Sequence, residues 1–343
     1  MEQQLIILQT AEQVTSPRLT SLHSPRATTG EGGWSDENLS GKGALQIQRL
    51  ADCPPYQVQC SPWTSVINDD ELASNLISMW LTWDKAWANF MDEQPFLHDM
   101  RRGRMTSKYC SPFLVNSVLA WACPYSDYLE ARTQNGAISG LMQAFMAEAK
   151  RHLEEDMKKD PTLPLVQGLA FLYLTLCVSG QDRLGYQVMV QTIAMCEELE
   201  RSPPEIEEDE AEAQRLSRAI DVTCWGVFNV TTSSFLSFMK PQYMKPPKRD
   251  QPAVRSRNDS WTPYPYQRTP VPPYNDELFQ THCNVSIVGA ALTQMLFDNS
   301  SMSLSMREAK ISKLRRQLLD QLASLPEHLC PQEGAPASVF IHQ

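Results

Sequence analysis

The chain reads Ser111-Pro-Phe-Leu-Val-Asn-Ser-Val-Leu-Ala-Trp-Ala-Cys-Pro-Tyr-Ser-Asp127 in its middle third, and this segment carries its clearest structural signal. Ser111 is a preferred helix N-cap, and Pro112 then occupies the first helical position, where a missing N–H costs nothing. The apolar residues that follow form one broad helical face: Phe113, Leu114, Val118, Leu119 and Trp121. The segment therefore predicts a short, largely buried helix.

Helical patterns lie on both sides of this segment. After Asn68, the acidic residues 69–71 suit the first turn of a helix, and its apolar residues recur at steps of three and four as far as Phe90. Further helices are predicted at 137–158, 163–179, 181–199, 215–238, 275–297 and 303–325. Because no alternating run is long enough for a sheet, the predicted fold class is all-α.

Three segments lack this periodicity. Residues 1–65 are predicted to be a disordered, low-order N-terminal segment, and 66–343 to be the folded domain, with low-order loops at 201–212 and 240–273. The acidic run at 205–212 could serve as an activation segment or partner patch, but the first turn of the next helix is the favoured interpretation. The proline-rich loop fits a crossover between helical layers, a nuclear-import patch or a proline-rich ligand.

Composition limits the classes of partner. The net charge of −10 argues against a surface made for phosphate backbones, so direct DNA binding is not expected. The most apolar window, 163–179, is too short for a membrane span and contains Pro164, Gln167 and Gly168, so we expect a buried helix and no membrane association. The nine cysteines include no CxxC pair, and zinc binding is therefore not expected either.

Motifs of catalytic sites are absent from the sequence. It contains no GxSxG, HExxH or P-loop, and its six histidines are scattered. The acidic residues at 69–71 and 92–93 loosely suggest the magnesium sites of all-helical diphosphate enzymes. That chemistry, however, needs carboxylates one helical turn apart that face a cavity. The sequence predicts no enzyme and no cofactor.

Several short motifs resemble one protein family. The segment 111–127 is similar to a helix of the regulatory (middle homology) domain of fungal zinc-cluster transcription factors, especially relatives of the nitrate-assimilation regulators. Similar motifs follow one another over residues 61–343. The residues that carry the resemblance are Trp83, Asp84, Glu93, Ser111, Pro112, Asn116, Tyr125, Ser126, Asp127, Gln167, Gly180, Gly185, Trp225 and Gly226.

The resemblance implies an all-helical regulatory domain that works in the nucleus on transcription. It implies contacts with other transcription regulators or coactivators, a full-length relative as heterodimer partner included, or with a small effector. The family's cluster of six zinc-binding cysteines has no counterpart, since only Cys53 and Cys60 precede the domain. The family domain also continues beyond the motif 325–329, so we expect a chain truncated at both ends. The alternatives are a helical scaffold or adaptor unrelated to transcription and, more remotely, an all-helical diphosphate enzyme.

Overall fold

The computed structural model describes residues 53–126, 140–202, 209–255, 260–265, 269–297 and 303–330, together with Pro336 and Val339. Over these ranges the chain is helical, which confirms the predicted all-α class. The helices are α1 (Asp70–Trp83), α2 (Glu93–Arg102), α3 (Pro112–Ala122), α4 (Gly140–Asp156), α5 (Leu163–Val178), α6 (Asp182–Arg201), α7 (Glu210–Ser237), α8 (Asn275–Phe297) and α9 (Leu304–Ala323). Two 3-10 turns, Cys123–Tyr125 and Glu327–Leu329, and one isolated bridge between Trp261 and Val271 complete the described elements.

The core lies around α3 and α5. Helix α3 packs against α1, α4 and α5, and α5 packs in turn against α6 and α7. Every residue of α5 from Leu163 to Leu176 is buried, as the apolar window predicted. Phe171 of α5 meets Trp80 and Phe90 with ring centroids 5.3 and 4.6 Å apart. These aromatic contacts join α5 to α1 and to the turn after it.

Most helix bounds agree with the sequence pattern. The predicted helices at 163–179, 181–199, 275–297 and 303–325 match α5, α6, α8 and α9 to within two residues at each end. Helix α5 ends at Val178, just before the predicted stop at Gly180. Gly180 adopts a φ of +71°, a left-handed conformation that favours glycine. No helix in the described ranges has the length and apolar character needed to cross a membrane.

Helix α1 is shorter than its apolar periodicity indicates. It ends at Trp83, and residues 84–92 form turns before α2 begins. The backbone N–H groups of Trp87 and Ala88 donate to the Asp84 carbonyl, so the chain reverses while Phe90 still reaches the core. A step of three or four between apolar residues thus describes both a helix and a turn that faces the same core.

The packed region begins earlier than the predicted boundary at residue 66. Residues 53–65, the first that the structure describes, lie in non-helical conformation against α1. The backbone N–H of Val58 donates to Ser74 Oγ (3.0 Å), and that of Cys60 donates to Asp70 Oδ1 (2.8 Å). Trp63 is fully buried, and its Nε1 donates to the Met100 carbonyl at 2.8 Å. The prediction for 1–52 lies outside the described residues.

The two predicted low-order loops differ in the structure: one runs into the first turn of α7, and the other forms a crossover between helices. Helix α7 begins at Glu210, with Asp209 as its N-cap, so the end of the acidic run lies in a first helical turn. Residues 203–208 lie outside the described residues. The described parts of 240–273 form the crossover from α7 to α8, and they make specific contacts: Gln242 Nε2 donates to Thr232 Oγ1 at 2.8 Å, and Tyr264 is buried.

Candidate functional site

Four of the motif residues meet at one junction between α1 and the turn after α3: Trp83, Asp84, Tyr125 and Ser126. Asp84 follows α1, is 4% exposed, and lies against the 3-10 turn after α3. Its Oδ2 accepts from Trp121 Nε1 and its Oδ1 from the Tyr125 hydroxyl, each at 2.6 Å. A single carboxylate therefore satisfies two donors from α3 and its following turn, and it fixes the angle between α1 and α3.

Burial raises the pKa of Asp84, and the hydrogen bonds from Tyr125 and Trp121 oppose that rise. The same contact raises the pKa of Tyr125, with burial as the largest cause and the carboxylate of Asp84 next. Both effects follow from placing a charged group in a poorly solvated junction. Both titratable side chains described at the junction have raised pKa values, as expected for a structural hydrogen-bond network rather than for an activated nucleophile.

The crossover segment closes the same junction. Trp83 Nε1 donates to the Tyr264 carbonyl at 2.7 Å, and its ring stands edge-on to Trp261 at 5.5 Å. Asn75 Nδ2 donates to the Tyr264 hydroxyl, while Ser126 Oγ donates to Asn75 Oδ1, both at 2.8 Å. The sequence identified Trp83 and Ser126 but not their partners. Those of Trp83, Tyr264 and Trp261, lie in the segment predicted to be a loop, and that of Ser126, Asn75, lies in α1, far away in the sequence.

Four other motif residues, Glu93, Ser111, Pro112 and Asn116, lie at the start of α2 and in α3 with its N-cap. Ser111 Oγ accepts from the Leu114 N–H at 3.1 Å, which confirms the predicted N-cap with Pro112 at the first helical position. Asn116 Nδ2 donates to the carbonyls of Trp63 (3.0 Å) and Pro112 (2.8 Å). Glu93, at the start of α2, pairs with Lys85.

A second group of motif residues joins α5 and α7 to the turn after α1. Gln167 Nε2 donates to Thr223 Oγ1, which donates in turn to the Phe90 carbonyl, each at 2.9 Å. Gly226 lies against the backbone of Asn89 and Phe90. Three further motif residues make other contacts or turns: Trp225, whose Nε1 donates to the Arg249 carbonyl, Gly185, where α6 approaches α5, and Gly180. Asp127 lies outside the described residues.

Helix α9 carries an exposed apolar surface. Leu304, Leu319 and Leu322 are 78%, 52% and 60% exposed, and their spacing, with Arg315, places them on one side of the helix. We call these four residues the α9 face. Helix α9 contains five Lys or Arg residues and two Asp or Glu residues, although the whole chain carries a net charge of −10. Its apolar pattern was predicted, but only one side of it packs, half-buried, on α8.

A polar cleft of about 790 Å³ opens between α2, the loop 103–110 and the start of α7. We call it the α2–α7 cleft. Asp92, Arg218 and Arg255 line it, and Arg218 and Arg255 also bind Asp276 at the start of α8, at 3.1 and 3.3 Å. Asp92, Arg218, Arg255 and Asp276 come from four separate parts of the sequence, so no local sequence pattern predicted the cleft.

The predicted absence of a zinc cluster concerns Cys53 and Cys60. Cys53 is exposed, whereas Cys60 is buried and its thiol donates to Asp70 Oδ1 at 2.9 Å. Burial, with the neighbouring Asp70, raises the pKa of Cys60 to about 11, so the thiolate that would bind a metal is disfavoured at neutral pH. Among the described residues, no group of three or more His, Cys, Asp or Glu side chains is arranged to hold a metal ion.

The helical architecture and the motif contacts agree with a comparison against known families. The model of the fungal specific transcription factor domain matches residues 75–269, which is more than half of the chain, and the chain belongs to that family. The match includes both motif groups and most of the crossover. No solved structure gives a significant match to the chain.

Three curated relatives support the same assignment. A notoamide biosynthesis transcriptional activator of Aspergillus versicolor is 32% identical over 79% of this chain and 44% of its own length. The nitrogen assimilation transcription factors nirA of Emericella nidulans and nit-4 of Neurospora crassa are 26% and 25% identical, over 82% and 85% of this chain. The chain spans less than half the length of each of them, 33% of nirA and 28% of nit-4 included.

The relatives are transcription factors, which are not enzymes. This confirms the prediction that the chain is not an enzyme, and it sets aside the diphosphate hypothesis. It also favours a role in transcription over a scaffold unrelated to it.

Proposed function

We propose that this chain regulates transcription through protein contacts of its helical domain, in the nucleus and without a zinc cluster of its own. The α9 face is the observation that carries the proposal, because three leucines of one helix side are more than half exposed. Isolated exposed leucines are common on proteins, but several on one helix side are typical of a docking surface.

The charge of α9 defines the kind of partner. Arg315 belongs to the α9 face, and Arg316 is exposed next to it, three residues before Leu319. The helix as a whole carries three more basic than acidic residues. An amphipathic segment with acidic side chains complements both the leucines and the cations. We therefore propose that the partner is another transcription regulator or coactivator with such a segment, a full-length relative included.

The first prediction concerns the α9 face. Replacing Leu319 and Leu322 together with glutamine should weaken binding of an acidic amphipathic peptide by about tenfold or more, because buried leucines at an interface each contribute ~1 kcal/mol. Fluorescence anisotropy with a labelled peptide measures the affinity. The double variant should also lower reporter transcription when the chain is fused to a heterologous DNA-binding domain, and a fluorescent fusion should accumulate in the nucleus.

The matched control is Val178→Gln with Val190→Gln, which removes two other exposed apolar side chains, 60% and 44% exposed, from α5 and α6. It should leave both readouts unchanged. A peptide with its acids replaced by amides should bind weakly. Equal losses in the two double variants, or self-association of the chain through α9 in place of peptide binding, would count against the proposal.

The second prediction concerns metal and DNA. The purified chain should contain much less than one zinc per molecule, because Cys60 is a buried, protonated thiol. It should also show no saturable binding to duplex DNA in a gel-shift assay at physiological salt, as its net charge of −10 disfavours phosphate contacts. Two zinc ions per chain by elemental analysis would overturn this part of the proposal.

A further inference from the structure

The α2–α7 cleft carries an excess of positive charge. Three Asp or Glu side chains line the cleft, against six Lys or Arg side chains. The basic side chains are those of Arg102, Arg104, Lys108, Arg215, Arg218 and Arg255. The chain as a whole is acidic, so this excess is a local property of the cleft. Its volume of about 790 Å³ is that of a small-molecule site.

The five arginines of the cleft fall into two sets, and Lys108 is not among the free cations. Arg218 and Arg255 are bound to Asp92 and Asp276, and Arg215 pairs with Glu212. Arg102 and Arg104 are exposed and form no side-chain hydrogen bond or ion pair within the part of the chain that the structure describes. The end of α2 and the loop that follows it therefore present two guanidinium groups with free donors to the cleft.

The opposite wall is buried and incompletely hydrogen-bonded. The Asp92 side chain is 2% exposed; its Oδ2 lies 3.3 Å from Arg255 and 3.5 Å from Arg218. Asp92 Oδ1 and Arg218 Nε are both buried, and neither has a hydrogen-bond partner among the described residues. Buried polar atoms are nearly always paired in folded proteins, so the unsatisfied Arg218 donor in the cleft wall indicates a group that an anionic oxygen can complete. Asp92 Oδ1 does not support such a ligand, because a carboxylate oxygen needs a donor.

The lining also limits the size of the ligand. Pro95, Tyr109 and Ala211 are the apolar residues of a lining that is otherwise polar or charged, so the leucines of an amphipathic segment have no pocket there. Asp99 and Glu212 lie in the same cleft and would repel the continuous phosphates of a nucleic acid. A small ligand can reach the free guanidinium groups of Arg102 and Arg104 while covering less of the acidic lining than a nucleic acid backbone would.

We propose that the α2–α7 cleft binds a small ligand with at least two anionic groups, which Arg102 and Arg104 hold from one side and Arg215 from the other. A guanidinium group can bind either a planar carboxylate or a tetrahedral phosphate with two parallel hydrogen bonds. The cleft would bind a small-molecule effector, and it is separate from the α9 face proposed to dock partners. Binding itself does not depend on that docking.

Titration calorimetry of the full chain with citrate and with pyrophosphate tests the proposal and distinguishes carboxylate from phosphate ligands. One of the two should bind saturably with one molecule per chain, and acetate should bind at least about tenfold more weakly, since it offers one charge to the same cations. Arg102→Gln with Arg104→Gln should weaken the binding by about tenfold or more. Both side chains are exposed and unpaired, so the double variant should unfold at the parent's temperature.

The matched control, Lys158→Gln with Arg183→Gln, removes the same two charges from exposed positions outside the cleft and should change the affinity less than about twofold. Absence of saturable binding to either anion at millimolar concentration would overturn the proposal. An equal loss in the control variant would overturn it too, since the attraction would then be due to net charge. Preferential binding of polyglutamate or duplex DNA, lost in the Arg102 and Arg104 variant, would replace the small ligand by a macromolecule. The peptide and reporter experiments at α9 share none of these outcomes.

Discussion

Gly226→Ala is expected to lower the free energy of unfolding by about 4 kcal/mol or more, or to prevent folding altogether. A β-carbon at this position would lie 2.2 Å from the Asn89 carbonyl oxygen and 2.4 Å from Phe90 Cα. Both atoms belong to the backbone, so no side-chain rotation relieves the clash, and α7 has to move away from the turn after α1. Urea unfolding followed by tryptophan fluorescence measures the change.

Gly140→Ala is the matched control. Gly140 is the first residue of α4, and nothing lies within 4 Å of a β-carbon built on it. The same substitution there should leave stability unchanged or raise it by up to about 1 kcal/mol, because alanine favours the helix. If Gly226→Ala unfolded at the urea concentration of the parent, α7 and the turn would not be in the contact described.

The local elements were predictable because their signals are local. Ser111 and Pro112 define the start of α3 within two adjacent residues, and the observed cap is the predicted one. Helix α5 was predicted as buried because an apolar run of that length has no polar side to expose. Fold class and helix bounds therefore follow from short-range periodicity and capping chemistry.

The junctions were not predictable, because their parts are distant in sequence. Asn75 and Tyr264 lie 189 residues apart and meet through one hydrogen bond. The periodicity continues through Asp84 without a break, and nothing in it indicates that α1 ends there or that Asp84 accepts from Trp121 and Tyr125, about 40 residues away. The cleft is a still stronger case, since Arg102 and Arg218 look like ordinary surface residues until α2 and α7 bring them to one opening. A motif resemblance identified several of the residues at these junctions, but it did not identify the contacts they make.

Asp84→Ala is expected to lower the free energy of unfolding by about 3 kcal/mol, because it leaves two donors without their acceptor. Trp121 Nε1 is in a buried contact, and the Tyr125 hydroxyl is half-buried, so water replaces the carboxylate poorly. Asp160→Ala, at an exposed residue between α4 and α5, removes the same charge and should cost less than about 0.5 kcal/mol. Chemical unfolding of the three proteins at neutral pH compares them, and equal stabilities would show that the carboxylate does not hold the junction together.

The pH dependence separates the charge of Asp84 from its shape. Burial raises the pKa of Asp84 in the folded state above its unfolded value near 3.9, so the folded protein binds this proton more tightly than the unfolded chain. The contribution of Asp84 to stability is then fully present below the unfolded pKa and decreases as the pH rises through the folded pKa. Asp84→Asn keeps a similar shape and cannot ionise, so the stability of the parent minus that of this variant should fall as the pH rises from about 4 and then level off. A difference that instead rises with pH would mean that the hydrogen bonds from Trp121 and Tyr125 outweigh the cost of burying the charge.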